Sequence, residues 1–320
     1  MKKTIESIII VLVVITLSIL GFVFNPISLS DIQKETLLIL LIVCGASALY
    51  CFTIGEITRN NSQMDKLWSL LPIAYTWIIA AKSGFNPRQV IYAILVTLWG
   101  IRLTINFARK GAYSIKFWSG EEDYRWQILR SKDAFQNKLV WGLFDLLFIS
   151  IYQNALVLAI CLPSFASMDS LAPLGAFDYL AFVGALMFLL IETIADEQQM
   201  FFHTTKRKML NEGKTLEELP EPFNKGFNTL GLWNRSRHPN YLGEQGFWLA
   251  LYFVVINAEV TTYYFFSYTL IGPLLLVLIF LGSSSLQEGI SAKKYPEYSD
   301  YTNKVSKYIP LKKYRKNQIL

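Results

Sequence analysis

The sequence predicts an all-α, polytopic membrane protein: a bundle of about eight transmembrane helices with both termini on the cytoplasmic side. Three observations lead there. Of the 320 residues, 53% are hydrophobic and only 17% charged, against roughly 25% charged in an ordinary soluble domain. The apolar residues gather in blocks close to the ~20 residues that a helix needs to cross a bilayer. The basic residues fall between those blocks in an alternating, sided pattern. A soluble enzyme, a disordered chain and a secreted disulfide scaffold are thereby excluded.

In chain order the blocks are 7–24, 37–52, 67–81, 90–107, 140–162, 177–193, 241–257 and 264–281. Lys2 and Lys3 precede the first as in a signal peptide. No small-residue cleavage site follows its Ile/Val-rich stretch, so it reads as a retained helix. The third block is the shortest. With the amino terminus inside, 26 of the 30 Lys and Arg fall on cytoplasmic segments, as the positive-inside rule requires. Only Lys34, Lys82 and Arg88 lie outside, and Arg102 sits near the inner end of the fourth block. Dropping the third helix would scramble that segregation. The inner loops 108–139 and 194–240 and the tail after 281 are long, polar and aromatic, whereas the outer connections are short, so chemistry is expected on the cytoplasmic face. The formal charge of +6 therefore speaks for a membrane and not for nucleic acid. Cys44, Cys51 and Cys161 lie inside apolar blocks and read as small core residues.

Within the inner segments, the most informative stretch runs Gly231-Leu-Trp-Asn-Arg-Ser-Arg-His-Pro-Asn-Tyr-Leu-Gly-Glu244. It brings Trp233, Arg235, Arg237, His238, Asn240, Tyr241 and Glu244 to the cytoplasmic entry of a helix. Pro239 suits a first helical turn, where its missing N–H costs nothing. The remaining N–H groups and the positive end of the helix dipole favour an anion. Arg235 and Arg237 add forked donors matched to phosphate oxygens. The same residues also suit lipid headgroups, with Asn240 as a helix cap; from the residues alone both readings stand.

A second signal lies on the preceding span. Glu192, Asp196, Gln199 and His203 follow at intervals of 4, 3 and 4, which puts them on one helical face. An ionisable group at membrane depth, such as Glu192, points to function, although polar stripes also join helices to one another. Lys206, Arg207 and Lys208 follow directly. Third comes Tyr295-Pro-Glu-Tyr-Ser-Asp-Tyr301 in the tail, preceded by Glu288, either a wall for a planar ligand or an aromatic belt. Fourth is Glu121-Glu-Asp-Tyr-Arg125, which also suits a solvated face. Asp145, Gln153 and Asn154 are polar within an apolar block and equally open. There is no Gly-rich phosphate loop, nucleophile elbow or metal-binding His pair. With His203 and His238 as the only histidines, a histidine-rich di-iron centre is excluded and no metal is expected.

The string Arg237-His-Pro-Asn-Tyr-Leu-Gly-Glu244, with Trp233 before it and Ala195-Asp196 upstream, resembles the carboxy-terminal region of the membrane steroid 5-alpha-reductases, above all their bacterial relatives. The sterol carbon-14 reductases are similar through the same Arg-His-x-Asn-Tyr segment. The likeness runs from about 65 to 310, and it divides the chain into amino-terminal transmembrane helices over 1–64, a reductase-like membrane domain over 65–312 and a basic tail over 313–320. It implies an all-helical membrane enzyme that binds NADPH in a cytoplasmic cavity and reduces a C=C conjugated to a ketone in a steroid-like or other lipophilic substrate.

By matching position, the resemblance implies that Trp233, Asn240 and Tyr241 contact the nicotinamide cofactor. Asp196, Gln199 and Glu244 would line its pocket, Arg237 and His238 would lie near phosphates or ribose, and Tyr295 and Tyr301 would close the site. Position 203 is His where members of that family commonly carry Arg, so the phosphates would fall to Lys206 or Arg207. Glu122 and Tyr124 are taken as the catalytic carboxylate and proton donor. An S-adenosylmethionine-dependent isoprenylcysteine-type methyltransferase, whose Arg-His-Pro-x-Tyr segment is similar, is the alternative enzyme. The density of Lys and Arg favours a phosphorylated cofactor over its sulfonium. A non-enzymatic lipid-binding protein is the third reading. Expected partners are membrane lipids and a lipophilic small molecule, with no nucleic acid and no obligate protein partner, in what the sequence suggests is a bacterial inner membrane.

Overall fold

The computed structural model describes residues 2–24, 27–260, 266–312 and 314. Met1, the 261–265 stretch in which the eighth expected span begins, and the basic tail 313–320 apart from Tyr314 lie outside them. The protein is 72% helical with no strand among the described residues. In order the helices are α1 (Lys2–Phe24), α2 (Asp31–Thr58), α3 (Gln63–Trp68), α4 (Leu71–Lys82), α5 (Pro87–Ala108), α6 (Tyr124–Arg130) and α7 (Lys138–Phe144). A π-helical stretch, Asp145–Tyr152, joins α7 to α8 (Gln153–Ala159). Then follow α9 (Leu162–Ala166), α10 (Ala176–Asn211), α11 (Pro239–Tyr252), α12 (Val254–Asn257), α13 (Ile271–Lys294) and α14 (Tyr298–Lys304).

Helix starts follow local chemistry. Ser30 and Gln33 form a reciprocal capping box at α2, and Asn86 caps α5 with Pro87 in the first turn. Asp123 and Asn137 accept from the backbone N–H two residues on, at the starts of α6 and α7. Each such cap contributes about 1 kcal/mol.

Five helices are long and apolar enough to cross a membrane: Asp31–Thr58, Pro87–Ala108, Lys138–Ala159, Ala176–Asn211 and Tyr268–Lys294. They carry the second, fourth, fifth, sixth and eighth expected spans, and the chain is an integral membrane protein by that measure. Their outward faces are apolar, as with Leu38, Leu41, Ile42 and Leu49 on α2 and Leu180, Val183, Met187 and Leu190 on α10. Lipid replaces water on such faces at no hydrophobic cost.

Five of the eight expected spans are carried among the described residues, and two of the others are broken. The third block breaks at Ser69, leaving the six residues of α3 and the twelve of α4, too few to span. The break has a cause. A methyl on Gly100 would lie 2.5 Å from the Ser69 carbonyl, and the Ser69 and Thr104 hydroxyls bond at 2.7 Å, so α5 presses on the chain at that point. α3 is itself held by a buried lysine: Lys66 Nζ donates to the carbonyls of Phe117 (2.9 Å) and Ser119 (2.8 Å). The seventh block divides into α11 and α12, and Phe247, Trp248, Leu251, Val254 and Val255 are fully buried. Such an all-round apolar helix belongs inside protein.

Packing divides the chain into two units, Met1–Val183 with Ala250–Leu276 and Gly184–Leu249 with Val277–Leu320. Unit 1 is clasped by a buried ion pair. Arg88 Nε lies 2.7 Å from Asp178 Oδ1 with both side chains at most 1% exposed. Arg88 also donates to the Ala172 and Pro173 carbonyls, and Asp178 accepts from Gly175 N and Asn257 Nδ2 at 3.0 Å. Removing one member of such a pair leaves an uncompensated charge and costs about 3–5 kcal/mol. Asp178→Ala is therefore expected to lower the thermal melting point of the detergent-solubilised protein sharply. Asp178→Leu combined with Arg88→Met should recover most of the loss, and an unchanged melting point in Asp178→Ala would contradict this account.

Candidate functional site

Unit 2 brings the two strongest sequence signals together. α10 and α11 meet through glycines: a methyl on Gly243 would lie 2.5 Å from Glu192 Cβ, and one on Gly246 2.3 Å from the Phe188 ring. This close approach lets Asn240, in the first turn of α11, donate from Nδ2 to Asp196 Oδ1 at 3.1 Å. One turn further along α10, Gln199 Nε2 and His203 Nε2 are 3.0 Å apart. Glu192 and Glu244 are both buried, at 3% exposure, whereas His203 is exposed. Two buried amide oxygens in this group, Gln199 Oε1 and Asn240 Oδ1, have no donor among the described residues.

The approach to α11 is fixed from α10. Trp233 Nε1 donates to the Ala195 carbonyl at 2.9 Å, and Leu232 N donates to Gln198 Oε1 at 2.9 Å. Gly231 sits at φ 56°, and a methyl there would strike the Gln198 side chain at 2.3 Å, so glycine is required.

Arg237 and His238 meet on one carboxylate. Arg237 Nε lies 2.8 Å and His238 Nε2 3.0 Å from Glu288 Oε1 on α13. Arg237 Nη1 also donates to the Thr302 and Val305 carbonyls, at 2.7 and 2.6 Å. The backbone N–H groups of Arg237 and His238 are taken by the Ser306 and Lys307 carbonyls. Both residues therefore bind the tail. Burial holds the His238 imidazole below its ordinary value, against the upward pull of Glu288. The ring stacks on Tyr241 at 5.2 Å, and the Tyr241 hydroxyl accepts from Gln287 Nε2 at 2.7 Å.

The tail closes on the same segment. Tyr301 OH donates to the Trp233 carbonyl at 2.5 Å. Its ring packs with Phe227, Tyr298, Val305 and Tyr314. Tyr295 fits against Gly226, where φ is 80° and a methyl would lie 2.1 Å from its ring. Lys206 Nζ donates to the Gly226 carbonyl at 2.6 Å and stands 5.4 Å from the Tyr295 ring centroid. Arg207, Lys208 and Arg235 are exposed.

Twelve expected binding residues thus share unit 2: Asp196, Gln199, His203, Lys206, Trp233, Arg237, His238, Asn240, Tyr241, Glu244, Tyr295 and Tyr301. Glu122 and Tyr124 belong to unit 1. Glu122 Oε1 accepts from Asn61 N at 2.8 Å, and Oε2 pairs with Arg130. Tyr124 opens α6 and is 49% exposed. Two open grooves also belong to unit 1; one of about 460 Å³ is lined by Ile42, Val43, Ala46, Ser47, Tyr50, Leu67 and Phe117, the other by α1 residues. No residue of 231–244 lines either.

Sequence reasoning gave no role to Glu288 and passed over Gln198. Glu288 was a lone acid at the polar end of an apolar helix, and Gln198 lies one position off the 192–203 stripe. Because Arg237 ties α13 and the tail to the 231–238 segment, Arg237→Ala should make the tail beyond 295 more sensitive to limited proteolysis in detergent. Arg237→Lys should rescue this only in part, since a compact ammonium lacks the planar, spread donors that reach Glu288 and two carbonyls at once. Wild-type cleavage rates in the alanine variant would contradict that role.

The family described as "Protein of unknown function (DUF1295)" matches residues 51–305. An uncharacterised protein of Schizosaccharomyces pombe is 34% identical over 266 residues, covering 79% of this chain and 73% of that protein. No solved structure matches. The match takes in α3 to α14 and the site just described, and the chain belongs to the DUF1295 family.

Proposed function

We propose that this chain is a membrane-bound, NADPH-dependent reductase. It would act on the conjugated C=C of a steroid-like or other lipophilic ketone, with its site and both termini on the cytoplasmic side of a bacterial inner membrane. One observation carries the reading: the Asn240–Asp196 bond joins the two motif segments and leaves the Gln199 and Asn240 amide oxygens buried without donors. A buried acceptor left unsatisfied costs about 1–3 kcal/mol. A ligand bringing N–H groups fits there, and the nicotinamide carboxamide and the adenine amino group both bring them.

In this arrangement Asp196, Gln199, Asn240, Tyr241 and Glu244 would hold the cofactor against the Trp233 wall, and the bound cofactor supplies hydride. Arg237 and His238 position the tail. The exposed Arg207, Lys208 and Arg235, with Lys206, would meet the phosphates. A hydroxyl placed at a developing oxyanion is typically worth about 3–4 kcal/mol, in a site that excludes water. Half-exposed Tyr124 lacks that setting, and Glu122 is engaged by Arg130 and Asn61, so neither is assigned the catalytic role.

The inward engagement of Arg237 favours a second reading, the S-adenosylmethionine-dependent methyltransferase, because a sulfonium cofactor asks for no phosphate ligand. Its adenine and ammonium groups would serve the same amide oxygens. Thermal melting of the detergent-solubilised protein separates the two. NADPH at roughly a hundred times its Kd should stabilise the wild type by about 2.7 kcal/mol, and Gln199→Ala and Asn240→Ala should lose most of that shift. A shift with S-adenosylmethionine alone would select the methyltransferase, and no shift with either would overturn both.

A further inference from the structure

Unit 1 holds a second polar cluster, independent of the reductase reading. It is built from the end of α2, the 59–62 connection and the π-helical stretch. Asp145 is 1% exposed, Asn61 3% and Asn154 0%. Ser150 Oγ donates to Asp145 Oδ1 at 3.4 Å. Asp145 Oδ2, both amide atoms of Asn61 and Asn154 Oδ1 lack a well-formed hydrogen bond among the described residues, although the Asn61 amide and the Glu56 carboxyl both lie close enough to act on Asp145.

The geometry converges on Gly55. A methyl there would lie 3.4 Å from Asn61 Nδ2, 3.4 Å from Asp145 Oδ2 and 3.8 Å from the Asn60 carbonyl oxygen. The missing side chain thus leaves a space about one atom wide, walled by a carboxylate, a carboxamide and a backbone carbonyl. Glu56 is the other charged group facing Asp145, and no ion pair with either carboxylate forms among the described residues. A buried carboxylate beside a second carboxylate favours a positive charge or a shared proton. Buried acids at membrane depth and π-helical turns are both concentrated at functional sites.

We propose that Asp145, Asn61 and the Asn60 carbonyl, with Glu56 at the rim, bind a monovalent cation of the sodium class. Hard oxygen donors suit such an ion. Asn61 can turn its oxygen inward, because the two ends of its amide are nearly the same in shape. A divalent ion is a poorer match, because it would call for more carboxylates or retained waters than a one-atom space provides.

Melting of the full-length protein in detergent, in NaCl and in choline chloride at equal ionic strength, tests this. The wild type should show a saturable rise of a few degrees that is specific to sodium. Asp145→Asn should abolish it, and so should Gly55→Ala, whose methyl makes ordinary contacts and fills the space. Gly55→Ala should melt at or above the wild type in choline, which shows that it folds. An equal melting point in the two salts, or an undiminished sodium shift in both variants, would overturn the proposal. So would a carboxylic-acid infrared band that disappears in Asp145→Asn and is unmoved by sodium, since it would mark a shared proton.

Discussion

The Glu288 carboxylate is the fixed point of unit 2. One of its oxygens receives both Arg237 and His238, and the same guanidinium reaches two tail carbonyls. A buried charge of this kind persists only where partners surround it, so its geometry is fixed by three separate parts of the chain. The register of the 236–238 segment against 306–307, the stacking of His238 on Tyr241 and the seat of Tyr301 beneath Trp233 follow from it. Asn240 reaches Asp196 because the turn that bears it is held in this way.

Much of this was legible in the residues. The 4-3-4 spacing from Glu192 to His203 needs only the helical period, and α10 continues unbroken to Asn211, so the stripe is real. Pro239 opens α11 as a first-turn proline should. The direction of Arg237 was not legible. A forked donor beside a helix start reads as an anion ligand, and only tertiary structure could show that Glu288, 51 positions away, would take it. The breaks in the third and seventh expected spans were illegible for a related reason. Hydropathy reports how apolar a segment is without saying whether lipid or protein surrounds it, and α4 and α11 are apolar helices too short to cross. The break at Ser69 depends on the closeness of Gly100, a contact no local pattern announces.

The chemistry each unit offers differs in kind. Unit 2 gathers acceptors and rings around the start of α11, a setting suited to a large ligand with N–H donors. Unit 1 gathers carboxylates and amides around Gly55, a setting suited to one small cation. Glu122, read from the sequence as catalytic, belongs to the scaffold of that second cluster: it holds the Asn61 backbone and pairs with Arg130. Membership in DUF1295 places the chain among relatives, and it is the amide oxygens of Gln199 and Asn240 that give the cofactor reading its physical content.

That reading is tested most directly by energy transfer from tryptophan to bound reduced nicotinamide. If the cofactor lies against the Trp233 wall, titration with NADPH should quench part of the protein emission and sensitise nicotinamide fluorescence. Trp233→Phe, which keeps the ring and removes the indole, should lose a distinct share of that transfer while the other tryptophans remain. Equal transfer in the two proteins, or none in either at saturating NADPH, would contradict a dinucleotide at this site.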